Sequence, residues 1–157
     1  MPMKKQLTLS IIVKDEKILL GMKKRGFGMG KWNGFGGKVE TGESIEVAMK
    51  RELQEEVSLV AEKMHQVAQF DFYFPNDQTI MEVHVYMVTD FSGTIVESEE
   101  MRPEWFDIDD IPYKEMWSDD IIWLPRILNG EKLFGFFKFA EDGSVADYQI
   151  NTSVFSN

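Results

Sequence analysis

The sequence predicts an α/β fold of the α+β type, an α/β/α sandwich in which a mixed β-sheet lies between helices. Several segments alternate apolar and polar residues, which is the pattern of half-buried strands. Two other segments carry apolar residues at helical spacing and begin with helix-capping residues. The chain has 157 residues, 43% of them hydrophobic, which suits one globular domain spanning residues 1–157.

Alternation of apolar and polar residues, turn residues and helix caps predict where each element lies along the chain. Leu7, Leu9, Ile11 and Val13 alternate with polar residues and so mark the first strand. Seven of the twelve glycines lie between residues 26 and 42, which predicts a loop with unusual backbone angles. The predicted elements are a strand at 5–13, a turn at 14–17, a strand at 18–24, a helix at 44–57 capped by Ser44, strands at 67–74 and 79–89, a short strand pair around Ile95 and at 104–108, a helix from Ser118 to Leu128 ended by Gly130, and a hairpin of 132–139 with 145–150.

Composition excludes several classes of function. The net charge of −10 opposes binding to a nucleic-acid polymer, because such binding needs clustered Lys and Arg. The sequence has no cysteine, so disulfide and thiol chemistry are excluded. The apolar run at residues 7–13 is too short for a secretion signal or a membrane span. We therefore expect a soluble, monomeric, cytoplasmic protein without a membrane partner, although an organelle is not excluded.

Three glutamates crowd one edge of the first predicted helix. Placed at about 100° per residue, Glu52 and Glu56 project beside the apolar stripe of the helix, and Glu55 lies within reach of Glu52. An ordinary solvated helix face would instead place its carboxylates opposite the stripe. Mg²⁺ would relieve their repulsion, since it accepts a few carboxylates and bridges to phosphates. Geometry alone leaves the solvated face and the metal site as alternatives.

The segment GKVETGESIEVAMKRELQEEVSL resembles the Nudix box, G-x5-E-x7-R-E-U-x-E-E-x-G-U, where U is a bulky aliphatic residue. Ser58 departs from the pattern by replacing the second glycine of the box, where a left-handed backbone would make serine cost on the order of 1 kcal/mol. The matching residues are Gly37, Glu43, Arg51, Glu52, Leu53, Glu55, Glu56 and Leu59.

The resemblance implies a Nudix-type α/β/α sandwich and a role for each box residue. Glu52, Glu55 and Glu56 would bind Mg²⁺, with Mn²⁺ as an alternative ion, and Arg51 would orient them. The Gly36 carbonyl and Glu100 are further candidate ligands. In the family, an activated water attacks phosphorus in an anhydride, and metal ions stabilise the charge that develops. The sequence does not decide which carboxylate accepts the proton.

A second resemblance covers about residues 8–148. The stretches GMKKRGFGMGKWNGFGGKV, VESEEMRPEWF and FGFFKF are similar to the branch of the family that hydrolyses oxidised purine nucleoside triphosphates. Lys23, Lys24, Arg25 and Lys31 could meet the triphosphate, and Lys23 is included among the predicted substrate contacts. The residues that the resemblance assigns to the purine pocket are Thr8, Phe27, Asn33, Phe72, Phe74, Met81, Met101, Trp117, Asp119, Asp120 and Trp123.

Several of these residues also have an ordinary structural interpretation. Phe72 and Phe74 alternate on one strand and could be core. Asn33 could contact a base edge or stabilise a turn. Asp119 and Asp120 could be an acidic first helical turn capped by Ser118, or a buried pair that shares a proton.

The predicted function is hydrolysis of oxidised purine nucleoside triphosphates, such as 8-oxo-dGTP and 2-oxo-dATP, to the monophosphate and pyrophosphate. Such an activity would remove damaged nucleotides from the pool before they enter DNA. The alternatives are a Nudix pyrophosphatase for ADP-ribose or dinucleotides, an inactive Nudix binding module, and a structural partner protein.

Overall fold

The computed structural model describes residues 3–153 and 155. The elements are β1 (Met3–Lys14), β2 (Lys17–Lys23), β3 (Trp32–Asn33), α1 (Ile45–Val57), β4 (Val60–Tyr73), β5 (Thr79–Ser92), β6 (Met101–Asp107), two short 3₁₀ turns (Ile108–Asp110 and Tyr113–Glu115), α2 (Asp120–Leu128), β7 (Leu133–Phe139) and β8 (Val145–Thr152). Except near Ile95, the predicted elements therefore form, with shifted ends.

The strands form one mixed sheet of eight strands, ordered β3-β2-β1-β5-β4-β7-β8, with β6 paired to β2. The pairs β1–β5 and β4–β7 are parallel, whereas β1–β2, β4–β5 and β7–β8 are antiparallel. The mixed sheet expected from the sequence is thus confirmed.

Each face of the sheet has its own apolar core. Neighbouring residues on β1 point to opposite faces, because side chains alternate along a strand. Ile11 packs with Trp123 and Leu124 of α2, and Ile12 packs with Met49 and Leu53 of α1. The two helices therefore cover opposite faces of the sheet, which confirms the sandwich.

Three details of the expected secondary structure are wrong. Residues 94–98 form no strand, because Ile95 packs beside the end of α1 and the Val96 N–H donates to the carbonyl of Val57. Strand β4 begins at Val60 rather than at residue 67. The sequence pattern does not reveal this start, because bulges between Ala61 and Ala68 break the alternation of the strand. Ser118 does not cap α2, and its hydroxyl donates elsewhere.

The end of α1 has the left-handed backbone that the glycine of the box would favour. Ser58 lies at φ 64° and ψ 27°, and its N–H donates to the carbonyl of Gln54. A residue with a Cβ is strained at such angles, whereas glycine is not.

We expect Ser58→Gly to raise the free energy of unfolding by up to about 1 kcal/mol, less the greater freedom that glycine has in the unfolded chain. For a domain of this size the melting temperature should rise by about 2–4 °C at most. Thermal unfolding followed by circular dichroism measures the change, and a lower melting temperature would contradict it.

Candidate active site

Helix α1 begins where the sequence predicts. The Ser44 hydroxyl accepts from the Val47 N–H at 3.2 Å and caps the helix. The residues that α1 buries in the sheet are Ala48, Met49, Leu53, Glu56 and Val57. Glu56 is thus a carboxyl group on the apolar side of the helix, and it is only 2% exposed. A carboxylate on a solvated helix face would be exposed.

Arg51 organises the acidic groups around it. Its guanidinium forms a two-point contact with Glu43, from Nε at 2.7 Å and from Nη2 at 2.9 Å. Its Nη1 donates to Glu52 at 2.8 Å and approaches Glu55 at 3.4 Å. The hydrogen bonds from Arg51 lower the pKa of Glu43 to about 2. The sequence matched Glu43 to the box without a role, and the structure identifies it as the anchor of Arg51.

Glu56 sits where the helix meets the glycine loop. Its Oε1 accepts from the Gly36 N–H at 2.8 Å, whereas Oε2 is buried without a hydrogen-bond partner. Burial raises the pKa of Glu56 to about 8, although the bond from Gly36 opposes the shift. Burial also raises the pKa of Glu52. A buried, unpartnered carboxylate oxygen is costly unless a cation or a donor meets it.

Glycine is required at two positions of this loop for contact reasons. A Cβ on Gly37 would come within 2.6 Å of the Glu52 carboxylate, and a Cβ on Gly36 would collide with the carbonyl of Thr8. The backbone at Gly36 and Gly37 can therefore lie directly against β1 and the glutamates. The first box glycine thus has a steric reason in this fold.

A loop before β6 faces the glutamates of α1 across a cleft. Lys23 contacts Glu100 at 3.1 Å, Lys24 contacts Glu97 at 2.6 Å, and Arg25 contacts Glu99 at 3.3 Å. Lys31 instead lies 5.4 Å from the ring centre of Trp117. Of the four cations predicted to meet the triphosphate, Lys23 and Arg25 line the cleft. The cleft has a volume of about 630 Å³ and brings Glu52, Glu55, Glu56 and Glu100 together with Gly36.

The donors of the cleft fit a hard divalent cation. They are carboxylate oxygens, the ligands that Mg²⁺ prefers, and Glu56 offers an oxygen without a partner. Among residues 3–153 and 155, no three acidic or histidine side chains already stand as a metal-ligand set. Cations of the chain engage two of the carboxylates, Glu52 by Arg51 and Glu100 by Lys23. An ion would have to compete with these two cations.

A second pocket, of about 450 Å³, lies beside the cleft. This volume is in the range of pockets that bind small molecules. The structure brings every residue predicted to contact substrate to its wall, namely Thr8, Lys23, Phe27, Asn33, Phe72, Phe74, Met81, Met101, Trp117, Asp119, Asp120 and Trp123. Their contact with a base stays a prediction. Strand alternation with Leu7 could have signalled Leu9, and Phe139 in the FKF stretch could also have been found, but sequence reasoning missed both.

Aromatic rings from separate segments form the mouth of this pocket. The Phe27 ring is 5.0 Å from Trp117 and 5.6 Å from Phe74, and Phe27 itself is 63% exposed. Phe74 stacks on Phe139 at 5.0 Å. Phe70, by contrast, is fully buried core. Of the alternating phenylalanines at the end of β4 and just after it, Phe70 is therefore core and Phe74 is pocket wall. Flat surfaces such as that of Phe74 suit an aromatic base.

Asp119 and Asp120 lie inside the pocket wall, 3% and 4% exposed. Asp119 accepts from the Trp123 indole N–H at 2.7 Å, whereas Oδ2 of Asp120 has no partner. Burial raises the pKa of Asp119 to about 6, and burial together with the Asp119 charge raises the pKa of Asp120 well above its usual value. Asp120 does lie in the first turn of α2, but Ser118 does not cap that turn, so this part of the structural interpretation is wrong.

The two pockets adjoin one another. Both are lined by Lys23, Gly36, Gly37, Lys38 and Glu56. A molecule with an aromatic end and an anionic end could occupy both at once. Sequence reasoning assigned no role to Lys38, although its position beside the box glycine could have suggested one.

No helix among the described residues is long and apolar enough to cross a membrane.

The fold and the glutamate helix agree with the comparison to protein families. The NUDIX domain matches residues 4–127, and the chain belongs to this family. It is 47% identical over 147 residues to the oxidized purine nucleoside triphosphate hydrolase of Danio rerio, with 94% of each chain covered. The enzyme of the same name from Mus musculus is 46% identical over 143 residues, covering 91% of this chain and 92% of that one.

Solved structures give the same fold. The MutT protein of Bacillus halodurans superposes with a TM-score of 0.80, covering 94% of this chain and 97% of that one at 24% identity. The E. coli ORF135 protein superposes with a TM-score of 0.68 at 29% identity, covering 82% of this chain and 91% of that one. At 24% identity, the Bacillus halodurans structure shows the fold alone.

Proposed function

We propose that this protein hydrolyses oxidised purine nucleoside triphosphates to the monophosphate and pyrophosphate. The observation that carries the proposal is the adjacency of the two pockets. An aromatic pocket with a buried aspartate pair shares five lining residues with a cleft of carboxylates and lysines. A nucleoside triphosphate has the matching shape, with a flat base at one end and phosphates at the other. The names of the Danio rerio and Mus musculus relatives support the same substrate class.

The phosphate end of the substrate would lie against the cleft. Glu52, Glu55 and Glu56 would hold Mg²⁺, or Mn²⁺ in its place, with the Gly36 carbonyl and Glu100 as further ligands. When bound, this ion would acidify the attacking water and offset the charge of the leaving pyrophosphate. Arg51 would keep Glu52 in place through the bonds already described.

The chain itself supplies the proton acceptor. The water oxygen bonds to phosphorus as the bridge between the α- and β-phosphates breaks, and a carboxylate of the cleft takes the proton. Burial raises the pKa values of Glu52 and Glu56 in the chain without a cation, and a bound dication would favour their charged, proton-accepting forms. Lys23 lies between cleft and pocket and can neutralise phosphate charge once it leaves Glu100.

We also infer that the enzyme works as a cytoplasmic monomer, without a nucleic-acid polymer or membrane partner. The net charge of −10 supports the absence of these partners, because a negatively charged protein is repelled by nucleic acid and by anionic membrane surfaces. Size-exclusion chromatography with light scattering tests the oligomeric state.

Steady-state hydrolysis with Mg²⁺ tests the proposal most directly. We expect kcat/KM to be higher for 8-oxo-dGTP and 2-oxo-dATP than for dGTP, with loss of activity in EDTA. ADP-ribose and a dinucleoside polyphosphate belong in the same panel. Preference for either would show a different substrate class, and no pyrophosphate release from any compound would show a binding module.

Asn33 should matter for the base more than for the phosphates. Its Oδ1 accepts from the Gly34 N–H at 2.9 Å, which leaves the amide NH₂ to donate into the pocket. We expect Asn33→Ala to reduce discrimination among purine nucleotides by about 10-fold or more, with a smaller effect on hydrolysis of a poorly discriminated nucleotide. The measurement is kcat/KM for 8-oxo-dGTP, 2-oxo-dATP and dGTP.

Asn151→Ala on β8 is the matched control for Asn33→Ala, because Asn151 lines neither pocket. An equal loss of activity with all three nucleotides in Asn33→Ala would mean that Asn33 only stabilises its turn.

A further inference from the structure

The start of α2 carries pocket groups but is not capped by a side chain. Trp117, Asp119 and Asp120 all line the base pocket, and Trp117 precedes the helix in irregular backbone. Asp119 stands at the N-cap position and makes no capping bond, because its carboxylate accepts from Trp123. Backbone bonds at this end of the helix are local, such as the one from the Asp120 N–H to the Trp117 carbonyl at 3.1 Å.

Ser118 supplies a long-range connection. Its hydroxyl donates to the carbonyl of Gly143 at 2.7 Å, across 25 residues of sequence. A capping serine would use the same oxygen to accept from the first turn of its own helix. Here the hydroxyl is directed away from the helix, and it joins α2 to the turn between β7 and β8.

The turn that Ser118 contacts is itself held on both sides. The Gly143 N–H donates to Ala140, and the Ala140 N–H donates to Ser144. On the far side, the Asn76 amide donates to Glu141 at 3.1 Å. The turn is therefore a fixed point rather than a loose loop.

This turn directly follows a ring of the pocket mouth. Phe139 is stacked on Phe74, with an angle of 8° between the ring planes, and its centre is 6.1 Å from Trp117. Trp117 and Phe139 belong to different segments, and the Ser118–Gly143 bond joins those segments within a few residues of both rings. The bond thus links the segments that carry two walls of the pocket.

We propose that Ser118 is a positioning residue for base recognition, acting through Trp117 and Asp119. The proposal rests on the function proposed above, since it assigns Ser118 to the base end of that substrate. Loss of the hydroxyl leaves the Gly143 carbonyl unpaired and lets the start of α2 move relative to the β7–β8 turn. Base binding should weaken, whereas α1 packs on the opposite face of the sheet from α2, so the backbone that carries its glutamates should keep its geometry.

The test compares Ser118→Ala and Ser118→Thr with the wild-type enzyme. One neutral hydrogen bond shifts an equilibrium by roughly 3- to 10-fold, so KM for 8-oxo-dGTP should rise by about that factor in Ser118→Ala. The kcat should stay within about twofold, and the preference over dGTP should shrink. Ser118→Thr keeps a hydroxyl and should restore KM to near the wild-type value.

Ser92→Ala is the matched control. The Ser92 hydroxyl also donates over 2.7 Å, to Glu62, but it lies on an exposed part of the sheet outside both pockets. This variant should keep the wild-type KM.

Four results would overturn the role of Ser118. Two concern Ser118→Ala itself, namely an unchanged KM and a fall in kcat without a rise in KM. The other two are an equal rise in KM in Ser92→Ala and failure of Ser118→Thr to restore KM. The wild-type assay tests the proposed function separately. If wild type hydrolyses none of these nucleotides, that function fails and the role of Ser118 fails with it.

Discussion

Glu56→Gln is expected to lower kcat by at least ~100-fold, because losing one group that stabilises the transition state typically costs that much. The amide preserves the size of the side chain but removes the charge that a metal ion would meet. The variant should also fold, since burial raises the pKa of Glu56 to about 8 and a neutral group avoids the cost of a buried charge. Hydrolysis of 8-oxo-dGTP with saturating Mg²⁺ and thermal unfolding in EDTA measure the two effects.

Glu46→Gln is the matched control for Glu56→Gln. Glu46 lies on the same helix but is exposed and lines neither pocket. Its kcat should equal that of wild type. Near-normal turnover in Glu56→Gln would remove Glu56 from the metal site, and equal losses in both variants would point to helix charge in general.

Asp119→Asn and Asp120→Asn are expected to change the ratio of kcat/KM for 8-oxo-dGTP and 2-oxo-dATP, each by a different factor. The edge of 8-oxoguanine has a carbonyl at position six and an N–H at position one, whereas 2-oxoadenine has an amino group at position six. Two buried carboxyl groups that share one proton could serve both edges by exchanging donor and acceptor roles. Each Asn variant fixes one member of the pair as a neutral amide.

The pH dependence follows from the direction of the two shifts. Both carboxyl groups hold their protons to higher pH than free aspartate, because both are buried. Asp119, with a pKa of about 6 and the Trp123 N–H as donor, should ionise before Asp120, whose pKa is raised by burial and by the Asp119 charge. The kcat/KM profiles should therefore lose a titration of the pair in each variant. If both substrate ratios and profiles match wild type, the shared proton does not select the base.

The same shifts affect stability. The unfolded chain releases these protons near pH 3.8, whereas the folded chain retains them to higher pH. The free energy of unfolding contributed by the pair therefore falls as the pH rises above 3.8 toward the folded pKa values. Asp120→Asn should reduce this fall, which thermal unfolding between pH 4 and 8 would detect.

The sequence predicted much of this fold because its local signals agree with the final packing. Ser44, the apolar stripe of α1 and the alternation along β1 each point to the structure that forms. The start of β4 was not predicted because bulges interrupt its alternation. The strand predicted around Ile95 is wrong because a buried apolar residue beside a helix end gives the same local pattern as a residue of a short strand. Local pattern carries no information on such tertiary contacts.

The candidate site was predicted more by resemblance than by pattern. Helical spacing placed Glu52 and Glu56 together, but it left a solvated face open, and only burial of Glu56 separates these interpretations. The pairing of Arg51 with Glu43 and the bond from Ser118 to Gly143 join groups 8 and 25 residues apart. The bond from Ser118 in particular needs a turn from another strand pair, which no local rule supplies.

The parallel pairing of β1 with β5 has a consequence for how the molecule folds. Met3 pairs with Thr79 and Ile12 pairs with Val88, so the centre of the sheet cannot close until the chain has brought together residues about 76 positions apart. The β4–β7 pair imposes a similar separation of 65 residues. Sheets dominated by such distant pairings form slowly, because loop closure precedes the contacts that reward it. During synthesis, helix α1 with its glutamates would therefore leave the ribosome well before β7, the strand that completes the neighbouring pocket with Phe139.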